Sequence, residues 1–494
     1  MKICLMCDLH LPADHTVLQY ETFRWAIANV REEKPDCIIF AGDASCDGTE
    51  AVYREFLKTV ENTGIPFFYI PGNSDLRCPE TRDAIWASAS KCKNKMEQIT
   101  IFAINDSDRS IPDEQLALLE EADENSIVFM HHPIATHDEQ TVKRLEMWRA
   151  THPKTMLFYA HFHRWEAGEN FVALPSMDPD KAIGECPCIT YYDTDTKALR
   201  KAHFDSPMPE DLDQYFGISC YRPMEHIQFA AAHKLKYLEL RPNCANEDSQ
   251  ELKRGIDQWR AAGGENLSVH FPDFSWADGG IVVPKEYTRL IAIVRELKAN
   301  RITVHTPKVS VQAVKDNPQM LEQICAYFAE DLNRNPHELV VGVENFHMKG
   351  DRADDSRRYG CLPDECLEFM NLLGRACRHK VGINFDIGHA RNNLPYSQKY
   401  QIGTWMSLVG KYTVGYHIHQ VRKVEENVFE NHVAITDVYG PMISYASYFH
   451  YWSDGRINKA PMIFEMRPEN AYAETLKTFY DYKQSRNQTC DFVL

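Results

Sequence analysis

The chain has 494 residues, of which 44% are hydrophobic and 25% charged, and its formal net charge is −17. That length predicts two or three domains. The net negative charge argues against a protein that binds duplex DNA through a basic face. No apolar run reaches about 18 residues, which predicts no membrane span, and the 15 scattered cysteines with a poor secretory signal predict a cytoplasmic protein.

The first part of the chain alternates short strands with helices. Its predicted strands are KICLMCDLH, CIIFAGD, FFYIPGN, ITIFAIND, SIVFMHHP, MLFYAHFH, NFVALPS and CITYYDT. An acidic, proline-containing segment, HFDSPMPEDLDQ, follows and is typical of a linker. We therefore predict a first domain at 1–204, a linker at 205–215 and a second domain at 216–494.

The second domain has a different pattern of predicted strands. Its predicted strands are GISCY, YLELRP, LSVHFP, RITVHTP, VVGVENF, VGINFDIGHA, VGYHIHQV and MIFEMRPE. Most of them are separated by segments long enough for a helix. Eight strands with intervening helices in about 280 residues match the strand count and size of a (β/α)8 barrel.

Polar side chains stand where five strands of the first domain end. They are Asp8, His10, Asp43, Asn73, His131, His132, His161 and His163. The ends of strands are where open α/β sheets build their sites. Carboxylate, imidazole and amide groups suit a pair of divalent ions such as manganese, iron or zinc. Two ions about 3.5–4 Å apart can clamp a phosphoryl group and activate a water molecule.

These motifs, in this order, resemble the calcineurin-like metallophosphoesterases over roughly residues 1–200. The resemblance implies an α/β fold, a four-layer αββα sandwich, with a two-ion site. It implies Asp8, His10, Asp43 and His163 as ligands of one ion, and Asp43, Asn73, His131 and His161 as ligands of the other. Asp43 would bridge the two ions.

The first domain departs from that family at Ser74, where most members have a histidine that helps to protonate the leaving group. A small residue at this position resembles the compact branch of the family. The general acid must then come from elsewhere, and His132 and His137 are our candidates.

Ionisable residues also stand at the carboxyl ends of the barrel strands or in the loops beyond, the rim where barrels carry their chemistry. They are His270, His305, Glu344, Asp386, His389, His417, His419, Glu430, His432 and Glu465. So many ionisable groups at one rim would be costly without cations to neutralise the acids. For a single residue such as Glu239, pairing with Arg241 or a neighbouring strand is the simpler interpretation.

This set resembles the xylose-isomerase-like barrels over roughly residues 216–485, a superfamily that includes sugar isomerases, epimerases and endonuclease-IV-type AP endonucleases. The one-metal isomerase tetrad would be Glu344, Asp386, His417 and Glu465. The three-zinc phosphodiesterase set adds His270, His305, His389, His432 and Glu430, which stands in place of an aspartate. The resemblance implies one to three ions, zinc or manganese, with Glu344 and His389 also acting in catalysis.

Four functions follow from these patterns. The favoured one is a two-site phosphoesterase for a small phosphorylated metabolite, a nucleotide or sugar phosphate, which converts a diester to a monoester and then to an alcohol. The second joins a phosphatase to a one-metal sugar isomerase or epimerase. A DNA-repair nuclease is disfavoured by the acidity, and a degenerate binding module by the nearly complete ligand sets.

A basic segment in the barrel half adds one further hypothesis. Arg352, Arg357 and Arg358 follow the fifth predicted barrel strand and could hold a phosphate bidentately. The favoured interpretation of this segment is an exposed, solvated loop.

Overall fold

The structure, a computed structural model, describes residues 1–348, 354–425 and 428–487. The chain divides into two compact units, one formed by Met1–Ser206 with Tyr439–Ser447, the other by Pro207–Val438 with Tyr448–Leu494. Across the described ranges, we find no helix with the length and apolar character needed to cross a membrane.

The first unit contains eleven strands and five α-helices among its described residues. The strands are β1 (Lys2–Met6), β2 (Cys37–Ala41), β3 (Phe67–Ile70), β4 (Lys93–Met96), β5 (Ile99–Ala103), β6 (Ser126–Met130), β7 (Met156–Tyr159), β8 (Glu166–Gly168), β9 (Phe171–Ala173), β10 (Cys188–Asp193) and β11 (Leu199–His203). The helices are α1 (Leu18–Glu33), α2 (Glu50–Glu61), α3 (Arg82–Ala87), α4 (Asp113–Leu119) and α5 (Glu139–Thr151), with a 3-10 turn at Ile134–Thr136.

Two sheets form the middle of this unit, in the orders β11-β10-β1-β2-β3 and β4-β5-β6-β7-β9-β8. Successive side chains of a strand point to opposite faces. Ile3 and Leu5 of β1 therefore pack against the second sheet, while Cys4 and Met6 pack against α1 and α2. Helices α4 and α5 cover the outer face of the second sheet. This is the predicted αββα sandwich.

All eight predicted strands of the first unit are present, but β4, β8 and β11 were not predicted. These three are short or largely polar and leave most of their residues partly or fully exposed. They therefore lack the buried apolar run that indicates a strand.

The second unit contains twelve strands and eleven α-helices in its described part. The strands are β12 (Phe216–Cys220), β13 (Tyr237–Leu240), β14 (Asn266–His270), β15 (Ser275–Ala277), β16 (Gly280–Val282), β17 (Arg301–His305), β18 (Val340–Glu344), β19 (Lys380–Asp386), β20 (Thr413–Ile418), β21 (Gln420–Glu425), β22 (Val428–Val433) and β23 (Met462–Phe464). The helices are α6 (Pro223–Ala232), α7 (Ser249–Ala261), α8 (Tyr287–Glu296), α9 (Val311–Asp316), α10 (Met320–Asn333), α11 (Pro363–Ala376), α12 (Ile387–Arg391), α13 (Tyr396–Lys399), α14 (Ile402–Val409), α15 (Ala446–Ser453) and α16 (Ala471–Asn487).

Eight of these strands close into a barrel in the order β12-β13-β14-β17-β18-β19-β20-β23, and every neighbouring pair is parallel. They coincide with the eight predicted strands, so the predicted (β/α)8 barrel is confirmed. Two antiparallel hairpins, β15–β16 and β21–β22, lie outside the barrel. Because β14, β17, β18 and β19 end at His270, His305, Glu344 and Asp386, parallel pairing brings these side chains to one rim.

Candidate metal centres

The loops after β1 and β2 are held together by their backbones. The Asp8 N–H donates to the Gly42 carbonyl at 2.9 Å, and the His10 N–H donates to the Asp43 carbonyl at 2.9 Å. Five predicted ligands of the first unit have positive φ angles, namely Asp8, His10, Asp43, His161 and His163. Non-glycine residues avoid this backbone region, and those found there cluster at functional sites.

The first group brings Asp8, His10, Asp43 and His163 together, with one ligand atom of each within 4.8 Å of the others. His10 Nε2 lies 3.0 Å from Asp43 Oδ2, and His163 Nε2 lies 3.6 Å from Asp8 Oδ1. Within the described residues Asp8 Oδ1 is buried without a hydrogen-bond partner. A bound cation would remove the cost of burying that oxygen, so the group fits the predicted first ion.

The second group centres on His131. Its Nε2 lies 3.1 Å from Asn73 Oδ1 and 3.6 Å from Asp43 Oδ2. Its Nδ1 lies 2.8 Å from the Ala41 carbonyl oxygen, the kind of contact that fixes which nitrogen faces an ion. The His161 ring is 5.2 Å from the His131 ring. Asp43 thus stands between the two groups, as a bridging ligand must.

The charge states of Asp43 and His161 suit metal ligation, which needs ionised carboxylates and neutral imidazoles. Burial raises the pKa of Asp8 to about 6, and although burial alone would lower them, neighbouring carboxylates raise the pKa values of His131 and His10. Burial alone would raise the pKa of Asp43, but His131 and His10 hold it well below its usual range. Burial, reinforced by His131 and His132, lowers the pKa of His161 to about 2. Asp43 is therefore ionised and His161 neutral around neutral pH.

Ser74 has a structural role here. Its buried hydroxyl donates to the Ser45 carbonyl at 2.6 Å, and its N–H donates to Asp43 Oδ1 at 2.7 Å. The N–H contact orients the Asp43 carboxylate. The hydroxyl bond to the Ser45 carbonyl leaves Ser74 unsuited to acid catalysis.

The two predicted general acids differ in what their nitrogens contact. His137 has both nitrogens engaged, Nε2 with Asp106 Oδ2 and Nδ1 with the Ile134 carbonyl, each at 3.1 Å. His132 Nε2 is buried with no hydrogen-bond partner in the described chain, and its ring lies 4.5 Å from that of His161. Burial and the neighbouring His131 lower the pKa of His132 to about 4. At neutral pH His132 is therefore a neutral imidazole that resists protonation, so it is unsuited to donate a proton and its Nε2 can instead bind a metal.

Two supporting acids in the first unit were not predicted. Asp178 Oδ2 lies 3.2 Å from His10 Nδ1, and the Asp106 carboxylate accepts from the N–H groups of His131 and His132 at 2.8 and 2.7 Å. Asp106 ends the predicted strand ITIFAIND, so its position was a usable signal. Asp178 follows no recognisable spacing.

In the barrel, Glu344 occupies the middle of the cluster. Its Oε2 lies 3.1 Å from both His270 Nε2 and His417 Nδ1. Its Oε1 lies 3.3 Å from His305 Nε2 and 3.5 Å from His389 Nδ1. One carboxylate therefore faces four imidazoles, the geometry expected of a ligand shared between ions.

Several buried atoms of this cluster face one another without hydrogen bonding. In the described ranges these atoms are Glu344 Oε1, Asp386 Oδ2, Glu465 Oε2, His305 Nε2 and His417 Nδ1. His417 Nδ1, for example, lies 2.8 Å from Glu465 Oε2 and 4.0 Å from Asp386 Oδ2. Buried lone pairs that converge and bind no proton donor are what a cation requires, so the cluster fits divalent ions.

A third group in the barrel consists of His389, His419 and His432, whose ligand atoms lie within 4.8 Å of one another. His419 lies beside His432, with ring centroids 4.3 Å apart. Gly388 makes room for it, because a Cβ there would lie 2.0 Å from His419 Cε1. His419 stood at a strand end in the sequence but was not among the predicted ligands.

Glu430, by contrast, lines the same cavity as His389 and His432 but is paired with an arginine. It is the cross-strand neighbour of Arg422 on the β21–β22 hairpin, and Arg422 Nε donates to its Oε2 at 3.0 Å. The Glu430 side chain is 46% exposed. The structure therefore places the His419 imidazole, rather than the Glu430 carboxylate, beside His389 and His432.

Two acids, the buried Glu239 and the partly buried Asp273, contact the outer nitrogens of barrel ligands, and neither was a predicted site residue. Glu239 Oε1 lies 2.9 Å from His417 Nε2 but 4.0 Å from Arg241, so its main contact is the candidate ligand. Asp273 Oδ1 lies 2.8 Å from His305 Nδ1. Carboxylates in this position fix the orientation of metal-binding imidazoles.

Comparisons with known proteins agree with the geometry of the first unit. Residues 1–165 match the family model for calcineurin-like phosphoesterases. Two relatives are a protein of Arcobacter nitrofigilis named a probable glycerophosphodiester phosphodiesterase, 45% identical over 47 residues, and one of Pseudoalteromonas sp. strain SM9913 named a probable cyclic nucleotide phosphodiesterase, 30% identical over 82 residues. These matches cover 10% and 15% of this chain and only 17% and 31% of the relatives' lengths.

Among solved structures, a xylose isomerase domain protein from Planctomyces limnophilus is similar to the barrel half. It is 14% identical, with a TM-score of 0.38, and the match covers 57% of this chain and 99% of that protein. The N-terminal third of the chain is a calcineurin-like metallophosphoesterase domain.

Proposed function

We propose that the chain hydrolyses phosphoesters at two metal sites, a two-ion site in the first unit and a three-ion site in the barrel, and that its substrate is a small phosphorylated metabolite. The observation that carries the barrel site is the set of five buried, converging atoms around Glu344. The relatives' names, both phosphodiesterases, support a diester as the substrate of the first unit. The barrel would then act on the monoester product.

Bound divalent ions supply a nucleophilic hydroxide and neutralise charge on the phosphoryl oxygens. In the first unit, Asp43 and His131 would hold the ions, with the neutral His132 imidazole beside His161. In the barrel, a cavity of about 560 Å³ is lined by the candidate ligands His389, His432 and Glu465 together with Arg241 and Arg467. These two guanidinium groups suit the phosphoryl oxygens of a substrate in that cavity.

Single-site variants test the proposal. We expect Asp43→Asn to abolish diester hydrolysis and leave monoester hydrolysis intact, and Glu344→Gln to do the reverse. Release of the phenol is measured from matched aryl diesters and monoesters, with the metal content of each variant determined alongside. Phenol release that neither substitution changes would rule out both sites.

The alternative barrel function, a one-metal sugar isomerase or epimerase, uses only Glu344, Asp386, His417 and Glu465. The histidines outside this tetrad favour phosphoester hydrolysis, because His389, His419 and His432 gather where a further ion would bind. Elemental analysis of an Asp43→Asn variant distinguishes the two functions, since it counts the barrel ions alone. One ion would favour the isomerase, and three the hydrolase.

A nuclease function is tested by incubation with a duplex that contains an abasic site, and we expect no nicking because the chain is strongly acidic. A cytoplasmic location stays a prediction.

A further inference from the structure

A second cavity of about 480 Å³ lies in the barrel unit and shares Phe346 and His347 with the cavity at the metal ligands. We name it the Lys308 pocket after the exposed lysine at its edge. Charged residues of its lining are Lys308, Arg357, Arg358 and Asp273. Among the described residues of the lining, three cations and one acid make this a basic pocket in a chain whose net charge is −17. A basic lining favours an anionic ligand.

Arg358 is built into this pocket. The arginine is 13% exposed, and its guanidinium carbon lies 3.4 Å from the centre of the Phe346 ring. One terminal nitrogen donates to Asp273 Oδ2 and the other to the Thr306 carbonyl, each at 3.0 Å. Each terminal nitrogen carries two N–H groups and each bond uses one, so the fork keeps donors for a ligand.

The other two arginines of this segment contribute less. Arg357 is buried, and its Nη1 donates to Glu365 Oε2 at 3.0 Å, so its charge is already neutralised. Arg352 lies outside the described residues. The solvated-loop interpretation is therefore wrong for Arg357 and Arg358, and only Arg358 combines burial with donors for a ligand.

Lys308 carries a positive charge that no described residue of the pocket neutralises. Its side chain is exposed at the pocket, and no carboxylate of the described residues pairs with it. Arg358, in contrast, shares its charge with Asp273. Lys308 is thus the residue whose removal changes the pocket's charge without breaking an internal contact.

The pocket is close to the metal ligands. Asp273 accepts from Arg358 with one oxygen and lies 2.8 Å from His305 Nδ1 with the other. The Phe346 ring, which carries Arg358 on its face, lies 5.1 Å from the His305 ring. One small molecule can therefore reach the metal ligands and the basic pocket together.

We propose that the Lys308 pocket binds a second phosphate group of the barrel's substrate, apart from the ester that is hydrolysed. The inference rests on the proposed phosphoesterase function and narrows its substrate class to small molecules with two phosphates a few bonds apart. Lys308 and Arg358 bind the phosphate that does not react and thereby position the one that does.

A matched pair of ligands tests this proposal by direct binding. Propylphosphonate carries one anionic group, and propane-1,3-bisphosphonate carries a second at the far end of the same chain. Calorimetry on the full-length, metal-loaded Asp43→Asn protein should give about tenfold tighter binding of the bisphosphonate, the gain expected of one charge-assisted contact. We expect Lys308→Gln to remove this gain and to leave propylphosphonate binding and metal content unchanged.

Lys315→Gln is the matched control. Lys315 is a neighbouring lysine, 57% exposed, whose ammonium pairs with Asp355 outside the pocket lining, so the tenfold gain should persist. Equal binding of the two ligands by the parent protein, or a full gain in Lys308→Gln, would overturn the proposal. A gain that depends on Lys308 in a barrel that hydrolyses no ester would support the pocket while the proposed barrel chemistry failed.

Discussion

The two candidate metal centres use similar side chains on different backbones. In the sandwich, Asp8, Asp43 and His161 lie in loops just beyond the strands and have left-handed backbone conformations. In the barrel, Glu344 and Asp386 are the last residues of β18 and β19 and have no positive φ, although His432 on the β21–β22 hairpin has one. A left-handed backbone conformation in a loop can direct a ligand side chain back towards a neighbouring strand end. In a closed barrel the strand ends already surround one centre.

The supporting contacts differ in the same way. In the sandwich, glycines let backbone approach the ligands, and a Cβ on Gly72 would lie 2.2 Å from Asp43 Oδ1. In the barrel, the side chains of Glu239 and Asp273 hold the imidazoles instead. The sandwich site should therefore be more sensitive to backbone changes, and the barrel site to loss of side chains.

The largest expected effect is that of Gly72→Ala. The added methyl group cannot fit beside Asp43, so the bridging carboxylate must move. We expect the first unit to lose its ions and about 100-fold of its diester hydrolysis, the cost of displacing a catalytic group by about 1 Å. Elemental analysis and diester kinetics measure both losses.

The barrel of the same protein provides the control for Gly72→Ala. Barrel ions and monoester hydrolysis should persist, which would show that the variant is folded. Full diester hydrolysis in Gly72→Ala would mean that the sandwich site tolerates backbone movement, and the contrast between the two centres would be lost.

A smaller effect is expected where the structure and the family resemblance disagree, at the third ion of the barrel. We expect His419→Ala to lose one ion and about 10- to 100-fold of barrel activity, in the range reported for outer-shell changes at metal sites. Glu430→Gln should keep its ions and stay within about twofold, because Glu430 pairs with Arg422. Ion loss in Glu430→Gln but not in His419→Ala would restore the original ligand assignment.

The smallest effect is expected for a group of ionisable residues whose acid is already paired with a lysine. Glu185, Cys188 and His203 lie close together in the sandwich, but Lys201 Nζ donates to both Glu185 oxygens at 2.7 and 2.8 Å. Glu185→Gln should leave the metal content unchanged and lower the free energy of unfolding by about 1 kcal/mol at pH 7.

The pH dependence of this last effect follows from the Glu185 pKa. Burial alone would raise it, but His203 and Lys201 hold it below its usual value. Because the folded-state pKa is lowered, the stabilisation is present above the ordinary carboxyl value of about 4.3 and is lost as the pH falls through the folded value. Thermal unfolding of parent and variant should therefore differ at pH 7 and converge in acid; a constant difference would exclude this ion pair as the cause.

The strands that bear ligands were predictable because they are buried on both faces and read as continuous apolar runs ending in a polar residue. The β1 segment KICLM before Asp8 and the β18 segment VVGVE ending in Glu344 are examples. The residues that support the ligands were not predictable in this way. Asp178, Asp273 and Glu239 reach their imidazoles from other loops or strands, so no local spacing marks them.

The order and chemical types of the metal ligands, the sandwich and the barrel are properties of the sequence by itself, since apolar runs and the polar residues that end them are local. The tertiary structure favours His419 over Glu430 as a ligand, because cross-strand pairing on a hairpin joins Glu430 to Arg422. It also decided that Arg358 is a buried group stacked on Phe346. Such choices depend on which distant side chain occupies the neighbouring space, and only the folded chain determines that.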